Sequence, residues 1–128
     1  MTLLQVQNLS IALPSGADRD LAVNDVSFDI EPGEIVCLVG ESGSGKSMIA
    51  HSILGLLPPK IRPVSGALRF GGNDLLALPP TEMKALRGAD VAMIFQEPLT
   101  ALNPLKKVGE QVAESIRVHD PKMTPGQT

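Results

Sequence analysis

The sequence predicts an α/β fold with an antiparallel sheet added at its front, and three observations point to it. Two five-residue apolar runs, Ile35–Val39 and Val91–Phe95, show no alternation, as in strands covered on both faces in a parallel sheet. Between them, Ile49, Ile53, Leu56 and Leu57 follow the i, i+4, i+7, i+8 spacing of a helical stripe. Ahead of both, apolar and polar residues alternate, the habit of half-exposed strands.

Leu4 and Val6, then Leu9, Ile11 and Leu13, mark an early strand, and PSGADRD (Pro14–Asp20) a turn-rich loop. Val26, Phe28 and Ile30 alternate with Ser27 and Asp29 in a second strand that closes at Pro32-Gly33. The helix predicted from Lys46 to Leu57 stops at Pro58-Pro59. Ala67–Phe70 reads as a short strand, Gly71–Asp74 as a turn, and Thr81–Arg87 as a short helix stopped by Gly88. Val108, Val112 and Ile116 mark one face of a last helix that fades near His119 and Pro121. No internal repeat is present.

At 128 residues the chain is one domain or part of one, long enough to bury a core. Its apolar fraction of 43% and charged fraction of 20% are those of a globular protein rather than a disordered one. A net charge of −3 gives no electrostatic footprint for nucleic acid, so none is expected as a partner. No run approaches the roughly eighteen apolar residues of a membrane span. The first ten residues, MTLLQVQNLS, lack the pattern of a signal peptide. Cys37 is the sole cysteine and, inside IVCLV, is expected to be a buried small apolar residue. These points favour the cytosol and leave room for a peripheral role at a membrane.

The strongest chemistry lies in GESGSGKS, residues Gly40, Glu41, Ser42, Gly43, Ser44, Gly45, Lys46 and Ser47, which match G-x-x-x-x-G-K-[ST]. Its glycines let the backbone turn tightly and aim N–H groups at phosphate oxygens. The helix that follows adds its positive end. Lys46 is expected to reach the β- and γ-phosphates, and the Ser47 hydroxyl to ligate Mg²⁺. Glu41 belongs to the loop but holds a variable position, its side chain directed away from the phosphates. Hydrolysis needs further groups, a metal-holding acid and one that orients the attacking water. No apolar run followed by Asp-Glu occurs after the phosphate loop; VAMIFQEP offers Gln96 and then Glu97. Two readings of Glu97 stand here: the base of a compact P-loop enzyme such as a small kinase or GTPase, or a loop residue beyond a strand end, as its neighbour Pro98 suggests.

GESGSGKS followed some fifty residues later by an apolar run ending in Gln-Glu-Pro resembles the nucleotide-binding domain of an ABC transporter. AVNDVSFDIEPGE (Ala22–Glu34) is similar to the family's antiparallel segment, and GEQVAESIRVH (Gly109–His119) to the start of its helical subdomain. The run RGADVAMIFQEPLTALNP is similar to the ATPases of peptide- and nickel-type importers. The likeness implies a P-loop NTPase core with an N-terminal antiparallel β subdomain, a Q-loop region at 96–104 and the start of a helical subdomain at about 106–119. It implies ATP and Mg²⁺ as ligands, with the Gln96 amide contacting Mg²⁺ and the attacking water. It implies transmembrane permease subunits as partners through about Gln96–Lys107, and a second ATP-binding domain in a head-to-tail dimer. It places the chain at the cytoplasmic face of the membrane as a peripheral subunit.

Two departures stand out. The family stacks adenine on an aromatic just before the Ala-Val at 22–23, where this chain reads Arg19-Asp20-Leu21. The family's LSGGQ-like signature, its Asp-Glu strand and its switch His do not occur in the 128 residues. The expectation is therefore the N-terminal part of such a domain, binding nucleotide without turning it over, with its last helix loosely held. A non-catalytic truncated product remains the alternative. Elsewhere, His51 reads as a solvated side chain, His119 as a partner of a helix C-terminus, Met93 as core, and Asp74 and Asp90 as turn and strand-entry residues.

Overall fold

A computed structural model describes residues 1–97 and 100–122. They form β1 (Leu4–Ala12), β2 (Leu21–Ile30), α1 (Lys46–Ile53), β3 (Arg62–Phe70), β4 (Asn73–Asp74), α2 (Pro80–Leu86) and α3 (Val108–His119). The chain divides into two compact units, Met1–Met83 and Lys84–Thr128.

The first unit is built on a four-stranded antiparallel sheet of order β2-β1-β3-β4. β1 pairs on both sides, with β2 and β3, and its Val6, Leu9 and Ile11 are fully buried with Leu68 of β3. Burying each such side chain stabilises the fold by about 1.5–3 kcal/mol. The buried positions of β1 change parity, from 4 and 6 to 9 and 11. A register shift between Gln7 and Ser10 accounts for this: the extra residue of a bulge returns the later apolar side chains to the core face. Asn8 sits there at φ 48, its N–H donating to Ser27 Oγ (2.8 Å) and its side-chain amide to Asp25 Oδ1 (2.8 Å).

β3 begins five residues earlier than the short strand read from the sequence, because Pro63 and Gly66 mask the pattern while the antiparallel partner β1 overrides them. α1 is shorter than predicted. Gly55, at φ 62, ends it before the prolines, with Leu56 N–H donating to His51 O (2.8 Å) and Gly55 N–H to Ser52 O (3.1 Å). Ile49 and Leu54 are buried, whereas Leu56 of the predicted stripe is exposed.

The two continuous apolar runs differ from expectation. Ile35–Val39 and Val91–Phe95 form no strand apart from one parallel bridge between Arg87 and Val91. Ile35, Val39 and Ile94 are 96%, 91% and 94% exposed, Cys37 is exposed rather than buried, and Met93 is half-buried. A strand of a parallel sheet exists only with neighbours to pair its backbone groups, and among the described residues no strand pairs with either run.

In the second unit α3 forms as its periodicity predicts, yet Val108 and Val112 are exposed and only Ala113 is buried along it. The His119 ring lies over Gly88, the residue that follows α2 and its neighbour Arg87. No helix among the described residues is long and apolar enough to cross a membrane.

Candidate functional site

Residues Gly40 to Ser47 form a turn that feeds directly into α1. Ser44 N–H donates to Glu41 O (3.1 Å), closing the turn, and Ile49 N–H to Gly45 O (3.1 Å), opening the helix. Gly45 is the N-cap residue, at φ 98, and no side chain caps the helix. The N–H groups of the first turn, which have no partner within a helix, are thus left for an anion.

Gly45 is also where the loop meets the sheet. A Cβ there would overlap the Ala22 carbonyl oxygen and come within 3.0 Å of Val23 Cγ2. Only glycine combines this approach with a positive φ. The phosphate loop therefore rests on the first residues of β2.

Lys46 Nζ folds back into the turn. It donates to Gly40 O (2.6 Å), Glu41 O (2.8 Å) and Ser44 Oγ (3.2 Å). These bonds hold the ammonium within the curl of the loop, half-buried, beside the start of α1. Ser42, Gly43 and Ser47 are exposed. His51, expected to be solvated, is half-buried, with Nδ1 2.6 Å from the Ser47 carbonyl oxygen one turn back. Arg19, in the loop between β1 and β2, donates through Nη2 to Gly43 O.

The donor set suits phosphate: backbone N–H groups at an uncapped helix start, one ammonium, and glycines where a Cβ would fill the turn. On Gly40, for instance, a Cβ would lie 2.7 Å from Ser44 Oγ. A divalent ion has less to hold it. No group of three His, Cys, Asp or Glu among the described residues could bind a metal, so Mg²⁺ would depend on phosphate oxygens together with Ser47.

Gln96 lies in the second unit, exposed at a bend. Glu97, at φ 62, accepts from Thr100 N–H (3.2 Å) and Thr100 Oγ (2.9 Å) through its carbonyl, a turn-forming role for its backbone. Pro98 and Leu99, part of the expected docking segment, lie outside the described residues. Farther on, Gln111 clamps the approach to α3. Its Oε1 accepts from Asn103 N–H (2.8 Å), and its Nε2 donates to Asn103 O (3.0 Å) and Lys106 O (3.0 Å). An open depression of about 580 Å³ along α3 is lined by Lys106, Glu110, Glu114, Arg117 and Val118 and holds no phosphate-loop residue.

Sequence reasoning noted Arg19 only within the segment where the family's aromatic is missing, and it passed over Gln111. A Gln on the polar side of a helix gives no comparable signal.

Comparisons with known proteins identify the family of the chain. The ABC transporter family model matches residues 23–125. The peptidoglycan transport ATP-binding protein YejF of Agrobacterium fabrum is 52% identical over 118 residues, which are 91% of this chain and 22% of that protein. The dipeptide transport ATP-binding protein DppD of Bacillus subtilis is 47% identical over 91% of this chain and 35% of its own length. The oligopeptide transport ATP-binding protein OppD of Mycobacterium tuberculosis is 43% identical over 94% of this chain and 20% of its own. The chain thus spans between a fifth and about a third of these relatives. Among solved structures, an ATP-binding subunit of an ABC transporter aligns with a TM-score of 0.58 at 25% identity, over 92% of this chain and 43% of that one. A nucleotide-free ATP-binding cassette aligns at 0.55 and 20% identity over 96% of this chain and 49% of that one, a likeness of fold. With the phosphate loop seated at the head of α1 and the family match running through four-fifths of its length, the chain belongs to the ABC transporter family.

Proposed function

We propose that the chain is the ATP-binding part of an importer ATPase that couples ATP binding and hydrolysis to the uptake of peptide-like substrates. The observation that supports nucleotide binding best is the Lys46 ammonium held inside the Gly40–Ser47 turn, next to an uncapped helix start. The relatives, named for transport of peptidoglycan, dipeptides and oligopeptides, support the substrate class.

Lys46 spends three hydrogen bonds on neutral acceptors of its own loop. Anionic phosphate oxygens are stronger acceptors than carbonyls, so the ammonium exchanges one set for the other without first being ordered. The N–H groups of the loop and of the first turn of α1 would orient the same oxygens, and the Ser47 hydroxyl would ligate Mg²⁺. By its resemblance to the family, Gln96 would offer its side-chain amide to the metal and to the attacking water. Mg²⁺-ATP, when bound, supplies the phosphoanhydride whose cleavage drives transport. No Asp-Glu pair follows an apolar run in the 128 residues, so this polypeptide holds nucleotide without turning it over. Its partners are permease subunits, met through about Gln96–Lys107 at the cytoplasmic face of the membrane, and a second ATP-binding domain.

Equilibrium titration of the chain with Mg²⁺-ATP tests the reading. Lys46→Ala is expected to weaken binding at least tenfold, about 1.4 kcal/mol. Equal affinity of the two proteins would refute it.

A further inference from the structure

Beyond Lys46, the first unit brings a second cation to the phosphate loop. Arg19 lies in the 13–20 loop between β1 and β2, which is tied at its base by Leu13 N–H donating to Asp20 O (2.9 Å) and within by Ala17 N–H donating to Pro14 O (3.2 Å). Its guanidinium donates from Nη2 to the carbonyl of Gly43, in the middle of GESGSGKS. Independently, Gly45 is packed on the carbonyl of Ala22, three residues beyond Arg19. The end of this loop is therefore fixed beside the phosphate loop by backbone packing, whatever the Arg19 side chain does.

The charges nearby make a second cation useful. Glu41 places a carboxylate in the phosphate loop itself, and Asp18 and Asp20 flank Arg19. Against them Lys46 is the one cation within the loop. A guanidinium has five N–H donors in a planar fork, and the bond to Gly43 uses one of them. The others can grip phosphate oxygens while the first still holds the loop, a division of labour that an ammonium serves less well.

We infer that Arg19 is a polyphosphate-binding residue of this chain, latching the β1–β2 loop to Gly43 and adding a second positive charge for the phosphates of the bound nucleotide. This rests on the proposed nucleotide-binding reading and names a further residue of that site. Its ligand is the polyphosphate rather than the base, because its contact is with the phosphate loop.

Calorimetric titration of the 128-residue chain with ATP and with inorganic tripolyphosphate, both with Mg²⁺, tests this in the unaltered protein, Arg19→Ala, Arg19→Lys, Arg19→Phe and Lys46→Ala. Thermal melts of each protein check that the sheet is intact. Arg19→Ala is expected to weaken both ligands about tenfold, the scale of one charge-assisted contact. Arg19→Lys retains part of the affinity and Arg19→Phe none of it. Loss for ATP alone, or rescue by Arg19→Phe, would overturn the inference in favour of a base contact. If Lys46→Ala weakens binding while Arg19→Ala does not, the nucleotide reading stands and the role of Arg19 falls. If the unaltered chain binds neither ligand, both fall.

Discussion

Replacing Gly45 with Ala separates the two demands that the structure makes on this residue. The first is conformational: at φ 98 a side chain is disfavoured by about 1–2 kcal/mol. The second is steric, since the new Cβ would overlap the Ala22 carbonyl and crowd Val23 Cγ2 at 3.0 Å. Relieving that overlap means lifting the loop off β2, which on the scale of overpacked sites adds about 1–3 kcal/mol. Gly43→Ala isolates the first demand, because at φ 80 its Cβ would meet nothing within 4 Å. The binding-competent loop then becomes a minor state, and apparent affinity falls by its population. Taking the strain at about 2–5 kcal/mol for Gly45→Ala gives a loss of about 30- to 4000-fold in Mg²⁺-ATP affinity. For Gly43→Ala, about 1–2 kcal/mol gives a loss of about 5- to 30-fold. Titration of the three proteins, with parallel thermal melts, measures the difference. The strain stays local and the buried cluster of Val6, Leu9, Ile11 and Leu68 is untouched, so the melts are expected to move far less than the affinities. A Gly45→Ala protein that binds as tightly as Gly43→Ala would refute the packing of loop on strand.

Three other outcomes are expected. Phosphate release from ATP by the 128-residue chain should not exceed that of its Lys46→Ala variant; a clear Lys46-dependent turnover would show a base within these residues. Amide hydrogen exchange should find α3 weakly protected, because Val108 and Val112 are 60% and 53% exposed, and strong protection there would contradict the open face. Gln111→Ala removes three hydrogen bonds to Asn103 and Lys106, so exchange at Asn103–Lys106 should accelerate while that of α1 stays unchanged. With each bond contributing about 1 kcal/mol, the protection lost at Asn103 should be at least fivefold.

The parts of the fold legible in the sequence were those governed by local pattern. The turn at Gly40–Ser47 declares itself because a tight turn leading into a helix permits few residue types at fixed spacing. β1, the second half of β2 and α3 follow from alternation and a helical stripe that short-range geometry enforces, and α2 from its glycine stop at Gly88. The misreadings concern Ile35–Val39 and Val91–Phe95, where composition proclaims a buried strand but pairing partners decide whether one forms. The end of α1 was misread for a related reason: Pro58-Pro59 is a loud stop signal, yet the left-handed turn at Gly55 acts first. Within the site, Lys46 was legible and its grip on the Gly40 and Glu41 carbonyls was not, since those contacts belong to the loop's own curl. Arg19 was noted in the sequence only as the place where an aromatic is missing.

The seat of Gly45 on Ala22 joins two backbones with no side chain of either residue between them. Most contacts can be tuned by trading one side chain for another; this one offers nothing to trade. Variation at residue 22 can alter what faces the core, but the oxygen that meets the loop remains. The distance between sheet and phosphate loop is thus set by the main chain, like a gauge block between two machined faces. Short of adding a side chain at Gly45 itself, any substitution that alters the height of this loop over the sheet must do so by bending β2.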